Sequence, residues 1–367
     1  MFVLPVSLFG EPITRTAGDL FSALAACIAE PLGLSRLQAV LGSHNPGLRS
    51  PHCSCGLSQN ASPRHCGGEI ALLIAEFRLR IAELSDLSNK RDRLLDLIRS
   101  FESCAVAFSA GVDSTVVAKA AFLTLGENAV AVTGTSASLA SGELAEAKQL
   151  AELIGIRHIV MQTEEFSNDD YMRNARDRCY HCKTELYTKL DERIDELGVR
   201  VILNGANVDD LGDYRPGMQA ATEHQVYSPL ADCNFTKADV RALAAEWNLP
   251  VSEKPATPCL SSRVAYGEEV TPARLQMIDQ AERFLRDHGL TNVRVRYHKG
   301  DLARLEVPID ALAKLCSDGL RESLVARLHE IGFQFITLDL EGFRSGSLNT
   351  LIDADRLYSK YTAEDAE

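Results

Sequence analysis

No apolar run in the 367 residues approaches the roughly 18 needed to span a bilayer, so a membrane partner is not expected. The opening residues, MFVLPVSLFGEPITRTAG, lack the basic stretch of a secretory leader, and the expected location is the cytoplasm. Positive charge is scarce: 38 Lys and Arg stand against 51 Asp and Glu, for a net charge of −13. That balance argues against broad binding to nucleic acid, which needs clustered Lys and Arg, and leaves room only for a local basic site. Internal repeats are absent. A second C-x-x-C, which structural zinc would ask for, is absent too. The ten cysteines present, in a chain of this size and setting, read as thiols, metal ligands or reactive sulfur rather than a disulfide framework. Cys104 and Cys316 fall in apolar patterns and are expected in cores, and Cys233 is assigned no role.

The chain is organised around Ala105 to Thr115. The apolar run Cys104 to Phe108 predicts a strand, Ser109-Ala110-Gly111 a turn, and Val116, Val117, Ala120 and Leu123 a helix. The first N–H groups of a helix have no intrahelical partner and carry the positive end of its dipole, which makes this turn an anion cradle. Small residues let a pyrophosphate approach the backbone, and Ser114 and Thr115 add hydroxyl donors. Asp113 would repel phosphate unless a divalent cation lay between them, so Mg²⁺ is expected here. The loop lacks the Lys-Ser/Thr ending of G-x-x-x-x-G-K-[ST] and is not a Walker A loop. Taken alone, it is also compatible with an ordinary strand-to-helix turn.

Residues 1–68 carry no sustained period and read as an extension that is poorly ordered or of unknown role. Within it, Cys53, Cys55, Cys66, His52 and His65 match no zinc spacing well. From 69 to 255 helical and strand patterns alternate. Helices over Ile70–Leu84 and Leu94–Phe101 lead into the loop, and then come strand Ala129–Thr133, helix Glu143–Ile154, strand His158–Met161, helix Lys183–Leu197 and strand Val201–Asn204. Alternation of this kind predicts an α/β fold with a doubly wound parallel sheet whose ligands sit at the carboxyl ends of the strands. Asp113, Thr133, Gly134, Asn204 and Gly205 all lie at such ends. Residues 256–350 predict a smaller α/β domain: helix Thr271–Asp287, strands Asn292–Tyr297 and Ala303–Val307, a helical region Ile309–Ile331 and strand Gln334–Leu340, before a tail over 351–367.

Three stretches carry chemistry. Asn204 to Gly217 is a turn-rich loop with Asp209, Asp210, Asp213 and Arg215; either it is a solvated acidic loop, or its acids, Asp210 foremost, take Mg²⁺ or its waters while Arg215 forks onto phosphate. The Mg²⁺ that Asp113 asks for favours the second. Cys179-Tyr180-His181-Cys182 is a C-x-x-C at a helix start, open between a redox pair, half a zinc site and coincidence, and Cys259 stands alone in Pro255 to Arg263. Three thiolates with one vacant corner suit a [4Fe–4S] cluster whose open iron holds a ligand such as sulfide. Beside Cys259, the hydroxyls of Ser261 and Ser262 and the guanidinium of Arg263 would favour a thiolate and orient a substrate anion. Finally, Arg294, Arg296 and His298 share one face of a strand, with Arg304 nearby and Glu282 placed to orient the guanidinium groups; the face is either solvated or a dock for a phosphate or carboxylate.

From about residue 90 to 350 the chain resembles the LarE family, the ATP-dependent sulfur transferases of nickel-pincer nucleotide biosynthesis within the PP-loop ATP pyrophosphatases. The motifs are Ser109 to Ser114, an S-G-G-x-D-S loop with Ala110 in place of the first Gly; Asn204 to Gly217; Pro258 to Gly267; and Leu338 to Ser347. The resemblance implies an ATP site at Ser109, Ala110, Gly111, Asp113, Ser114, Thr115, Thr133, Gly134, Gly205 and Arg215. It implies that ATP adenylylates a carboxylate of pyridinium-3,5-biscarboxylic acid mononucleotide, releasing pyrophosphate, and that sulfur displaces AMP. In some members the sulfur is that of a cysteine at the Cys259 position; others pass on sulfide from a [4Fe–4S] cluster held by three cysteines. With Cys179, Cys182 and Cys259, this chain resembles the second kind. Ser262, Arg263, Glu282, Arg294 and Arg296 are then the substrate contacts, the partner is a small-molecule nucleotide, and a homo-oligomer is implied; the donor of replacement sulfide is not. A tRNA thiolase, an ammonia-using adenylating synthetase and a non-catalytic nucleotide-binding protein are the other readings.

Overall fold

The computed structural model describes residues 86–211, 216–344 and 346–349. The extension 1–68, the helical pattern Ile70–Leu84, Arg215 and the tail 351–367 lie outside the described residues.

Four short strands, β1 (Cys104–Ala107), β2 (Ala129–Thr135), β3 (Arg157–Gln162) and β4 (Val201–Leu203), form a parallel sheet in the order β3-β2-β1-β4, largely apolar except at the edge strand β3, where Arg157, His158 and Gln162 are polar. Alternate residues point to opposite faces of a strand, and both faces are covered. Cys104, Val106, Ala129 and Ala131 meet a helix over 86–100 (α1), α2 (Val112–Leu125), α3 (Glu143–Ile154) and the later Val240, Leu243 and Ala244. Ala105, Ala107, Val130 and Val132 meet Tyr187, Leu190, Leu197, Ala220 and Ala221 on the other side. Those residues come from α5 (Arg178–Asp191), α6 (Ile194–Leu197) and α7 (Pro216–Glu223), while the short α4 (Asp169–Met172) precedes them. This is the doubly wound α/β sheet that the alternating pattern predicts. The chain runs outward from β1 to β3 and returns across the sheet to β4, so the loops after β1 and β4 face each other at a switch point, where such folds bind ligands.

α8 (Pro229–Asp232) and α9 (Lys237–Glu246) complete this half. α9 opens on a capping box in which Thr236 and Asp239 satisfy each other's backbone amides. The second half pairs β5 (Arg294–His298) antiparallel with β6 (Leu302–Glu306), and β6 parallel with β7 (Phe335–Leu338). Its apolar face, Val295, Tyr297, Ala303 and Leu305, packs on α10 (Pro272–Asp287) and α12 (Asp318–Ile331), with α11 (Leu312–Leu315) between. The helical region expected over Ile309–Ile331 is therefore broken at Ser317, which caps α12. Cys316, at that break, is exposed, not in a core; Cys104 is buried as expected. Among the described residues no helix is long and apolar enough to cross a membrane.

Candidate functional site

The loop after β1 is shaped by its own hydroxyls. Ser114 Oγ accepts the Ser109 amide at 3.2 Å and lies 3.1 Å from Ser109 Oγ, while Thr115 Oγ1 donates to the Gly111 carbonyl at 2.8 Å. Gly111 caps α2 without a side-chain acceptor, so the first amides of α2 are left for an external anion. Ala110 is fully buried with φ of +59°, the left-handed region in which a Cβ is strained and glycine is at home. The family-type glycine position is thus occupied at a cost in backbone strain.

From the facing loop, Gly205 passes directly over the start of α2. A Cβ there would lie 2.7 Å from the Ser114 nitrogen and 3.0 Å from the Asp113 carbonyl carbon, so nothing larger fits. Asn207 then ties the two loops together, donating from Nδ2 to Asp113 Oδ1 at 3.0 Å while its own amide donates to Asp210 Oδ2 at 3.1 Å. Asp210 is in this way the closing member of a capping box. Asp209 accepts the Lys237 amide at 2.7 Å, and the Lys237 ammonium stands 2.5 Å from Asp113 Oδ2.

Above these loops opens a cleft of about 250 Å³ whose walls include Ser109, Gly111, Asp113, Lys237 and Lys254, and then Pro255 to Pro258, the residues that lead straight into Cys259. Lys254 bridges to Glu143 at 3.2 Å and Glu146 at 2.8 Å and reaches the Ala110 carbonyl at 3.4 Å. Thr133 and Gly134 do not line this cleft. The Thr133 hydroxyl bonds the Phe108 carbonyl at 2.8 Å and His158 Nε2 at 2.9 Å, and Gly134 makes room for Leu186 and Thr163.

Cys259 is exposed at the head of a turn, Leu260–Arg263, whose geometry is fixed from beneath. Leu260 donates its amide to the Ser138 carbonyl at 2.8 Å, and the Ser261 hydroxyl lies 2.7 Å from Tyr171 OH. Arg263 is 1% exposed and ion-paired through Nε, at 3.0 Å, with Glu282, which is 0% exposed. Its Nη1 donates to the carbonyls of Pro258 and Cys259. Arg263 thus positions the cysteine from below and does not present its charge to a substrate. Glu282, expected to orient Arg294 and Arg296, instead holds Arg263, Arg286 and the Val295 amide, because α10 packs its carboxylate beneath the turn; Glu306 is the residue that holds Arg296, at 2.8 Å.

α5 begins beside the same turn. Arg178 Nη1 donates to the Ser261 carbonyl at 2.8 Å and to Asn174 Oδ1 at 2.5 Å. Burial works against the Arg178 charge, yet the neighbouring Cys259 and Cys179 raise its pKa overall. Burial pushes the Cys182 thiol up to about 12, with Cys259, Glu165 and Cys179 adding to the effect. The Arg178 bond to the Ser261 carbonyl and the packing of Cys182 on the cluster that contains Leu260 and Tyr171 bring the start of α5 to the cysteine turn. Beneath them, Arg178, Arg294, Arg296, Pro258 and Ser262 line a cavity of about 130 Å³. Arg294 and Arg296 are 9% and 6% exposed, so this strand face is not a solvated one. Arg294 bonds the carbonyls of Val293 and Ala256, and burial, then Arg263, pulls its pKa down: a guanidinium that gains from an arriving anion.

Among the described residues no three His, Cys, Asp or Glu side chains stand in metal-ligand arrangement. For Mg²⁺ the fit is nonetheless good, since that ion takes one or two carboxylates and completes its shell with water and phosphate, and Asp113 and Asp210 sit on either side of Asn207. Cys179, Cys182 and Cys259, the thiols an iron–sulfur cluster would need, form no such group among the described residues. Sequence patterns missed Lys237, Lys254, Asn207 and Arg178. Nothing local in the sequence signals the reach of Lys237 across 124 residues to Asp113.

No protein-family model matches the chain. It is 44% identical over 266 residues, 72% of this chain and 99% of the relative, to an uncharacterized protein of Synechocystis sp.. It is 34% identical over 276 residues, 75% of this chain and 99% of the relative, to pyridinium-3,5-bisthiocarboxylic acid mononucleotide synthase of Lactiplantibacillus plantarum. A tRNA-specific 2-thiouridylase of Xanthobacter autotrophicus is 31% identical over 189 residues, 41% of this chain and 48% of that protein.

Proposed function

Since the chain belongs to the LarE family of PP-loop sulfurtransferases, we propose that it uses ATP to adenylylate a carboxylate of pyridinium-3,5-biscarboxylic acid mononucleotide and replaces AMP with sulfur to leave a thiocarboxylate. The observation that carries this reading is the wall of the phosphate cleft: Pro255 to Pro258 line it together with Ser109, Gly111 and Asp113 and run directly into Cys259. Activation and sulfur delivery are then neighbours on one surface.

A carboxylate is a poor electrophile and its mixed anhydride with AMP a good one. The amides at the start of α2, in a loop whose shape the Ser109 and Ser114 hydroxyls hold, would meet charge as it grows on the phosphates. Asp113 and Asp210 would hold Mg²⁺, which when bound neutralises pyrophosphate as it leaves. Arg178, Arg294 and Arg296 hold the acidic groups of the substrate. At the acyl carbon hydrosulfide forms the carbon–sulfur bond as the bond to the AMP oxygen breaks, AMP leaving with the electron pair and the sulfur's proton passing to water, which leaves the thiocarboxylate. Arg263 and Ser138, by fixing the backbone on either side of Cys259, hold the sulfur in reach, and such placement supplies several kcal/mol of the barrier. Cys179, Cys182 and Cys259 would hold a [4Fe–4S] cluster, which when bound supplies a transferable sulfide.

In the test, Cys259→Ala keeps substrate-dependent pyrophosphate release and loses thiocarboxylate; thiocarboxylate at the parent rate overturns the sulfur route. Chain purified without oxygen is expected to carry about four iron atoms and acid-labile sulfide, lost in Cys179→Ala. A colourless, zinc-loaded chain overturns the cluster.

A further inference from the structure

The cation that Asp113 would bind has a rival already in place. Lys237 Nζ stands 2.5 Å from Asp113 Oδ2, and Asn207 Nδ2 engages Oδ1 at 3.0 Å, so both oxygens of the carboxylate have partners. The charged groups lining the cleft are Lys237, Lys254, Asp113 and Glu143, which cancel. Lys254 is 15% exposed and held by two glutamates, whereas the Lys237 side chain is 37% exposed and has Asp113 as its carboxylate. Its backbone, by contrast, is pinned: the amide donates to Asp209 at 2.7 Å within a capped first turn. What is free to move is a four-carbon stem with a compact ammonium at its tip.

Building on the nucleotide reading of this cleft, we propose that Lys237 is a polyphosphate-binding residue that exchanges partners: its ammonium neutralises Asp113 until a metal–nucleotide complex enters, then turns to a non-bridging phosphate oxygen and leaves Asp113 to the cation. An ion pair this exposed is weak, and a charge-assisted bond to phosphate replaces it. The exchange also makes the cleft selective. A nucleotide without its metal draws Lys237 away and is left facing a bare carboxylate, whereas the metal complex satisfies both. Lys237 thus selects metal-loaded nucleotide over free nucleotide or free metal.

The experiment uses the full chain and two probes, Mn²⁺ alone followed by electron paramagnetic resonance and the magnesium complex of α,β-methylene-ATP followed by calorimetry. Lys237→Met is expected to bind Mn²⁺ about fivefold tighter, because the Asp113 charge is no longer cancelled. The same variant is expected to bind the magnesium–nucleotide about tenfold more weakly. Lys237→Arg should restore nucleotide affinity to within about threefold of the parent. Opposite signs are the signature, since a purely structural lysine would weaken both probes. Mn²⁺ binding that is unchanged or weaker, or nucleotide binding at parental affinity, overturns the exchange. If the parent chain itself fails to bind the magnesium–nucleotide, the nucleotide reading of the cleft has failed instead.

Discussion

Glu282→Gln tests how the cysteine turn is held. The carboxylate is fully buried and accepts from Arg263 Nε at 3.0 Å, Arg263 Nη2 at 3.3 Å, Arg286 Nη1 at 3.3 Å and the Val295 amide at 3.2 Å. An amide oxygen can keep the Val295 bond but leaves the Arg263 guanidinium, 1% exposed, without a counter-charge. Removing one partner of a buried pair costs about 3–5 kcal/mol, and the retained bond argues for the lower end. Against a total stability of roughly 5–15 kcal/mol that is a large fraction. At about 2–4 °C per kcal/mol, a melting temperature some 6–12 °C lower is expected by calorimetry. A second readout follows from Arg263 Nη1, which holds the Pro258 and Cys259 carbonyls: as the turn loosens, the rate of Cys259 alkylation should change in the folded state, measured by peptide mass spectrometry. The double variant Arg263→Met/Glu282→Leu, which removes both charges, should recover most of the stability. A single variant that loses under about 1 kcal/mol, or a double variant no better than the single, would refute the buried-pair account.

Gly205→Ala places a Cβ 2.7 Å from a backbone nitrogen that has no flexible end to give way. The loop must lift off α2, and affinity for a non-hydrolysable ATP analogue should fall at least about tenfold by calorimetry, the scale of a lost charge-assisted bond; parental affinity would refute the close-approach argument. For pH, burial lifts the Cys104 thiol to about 12. The folded chain keeps this proton where an unfolded thiol, at about 8.5, has lost it, so the contribution is complete below that pH and shrinks as pH rises toward 12. Urea midpoints taken between pH 8 and 11 should therefore fall, and fall less in Cys104→Ala; equal slopes would refute the assignment.

The local half of the site was legible because strand, turn and helix are neighbours in sequence. Cys104 to Phe108 is apolar, Ser109 to Gly111 is small, and periodicity resumes at Val116, so β1, the loop and α2 follow from pattern alone. The convergence of Gly205 on that loop was legible too, from the rule that ligands gather at the carboxyl ends of parallel strands. What was not legible was burial. Arg263 beside Cys259 has the composition of a substrate contact, and only the packing of α10 under the turn, 19 residues on, gives the guanidinium to Glu282. Cys316 sits in an apolar pattern, yet the break at Ser317 turns it outward. Lys237 and Arg178 lie outside the helical patterns read from the sequence; their partners are decided by α9 lying against α2 and by α5 meeting the cysteine turn.

The segment 254–258 explains how the two halves of the chemistry are coupled without a rigid block between them. At its start, Arg241 on α9 grips the Ser252 and Lys254 carbonyls at 2.5 and 3.0 Å, and the Lys254 ammonium touches the Ala110 carbonyl of the phosphate loop. At its end, Arg294 of β5 holds the Ala256 carbonyl at 3.2 Å and Arg263 holds that of Pro258. Four residues, two of them prolines with fixed φ, separate Lys254 from Cys259, a span of at most about 18 Å even when fully drawn out. The sulfur is thus tethered to the phosphate loop by a short strap whose far anchor, Arg294, is itself a wall of the anion cavity. On the proposed function, an anion bonded to Arg294 would compete with the Ala256 carbonyl for the guanidinium, and substrate occupancy would be linked to the position of Cys259. That linkage needs no movement of either sheet, only a change of partner at a side chain whose burial already makes its charge costly to leave unmatched.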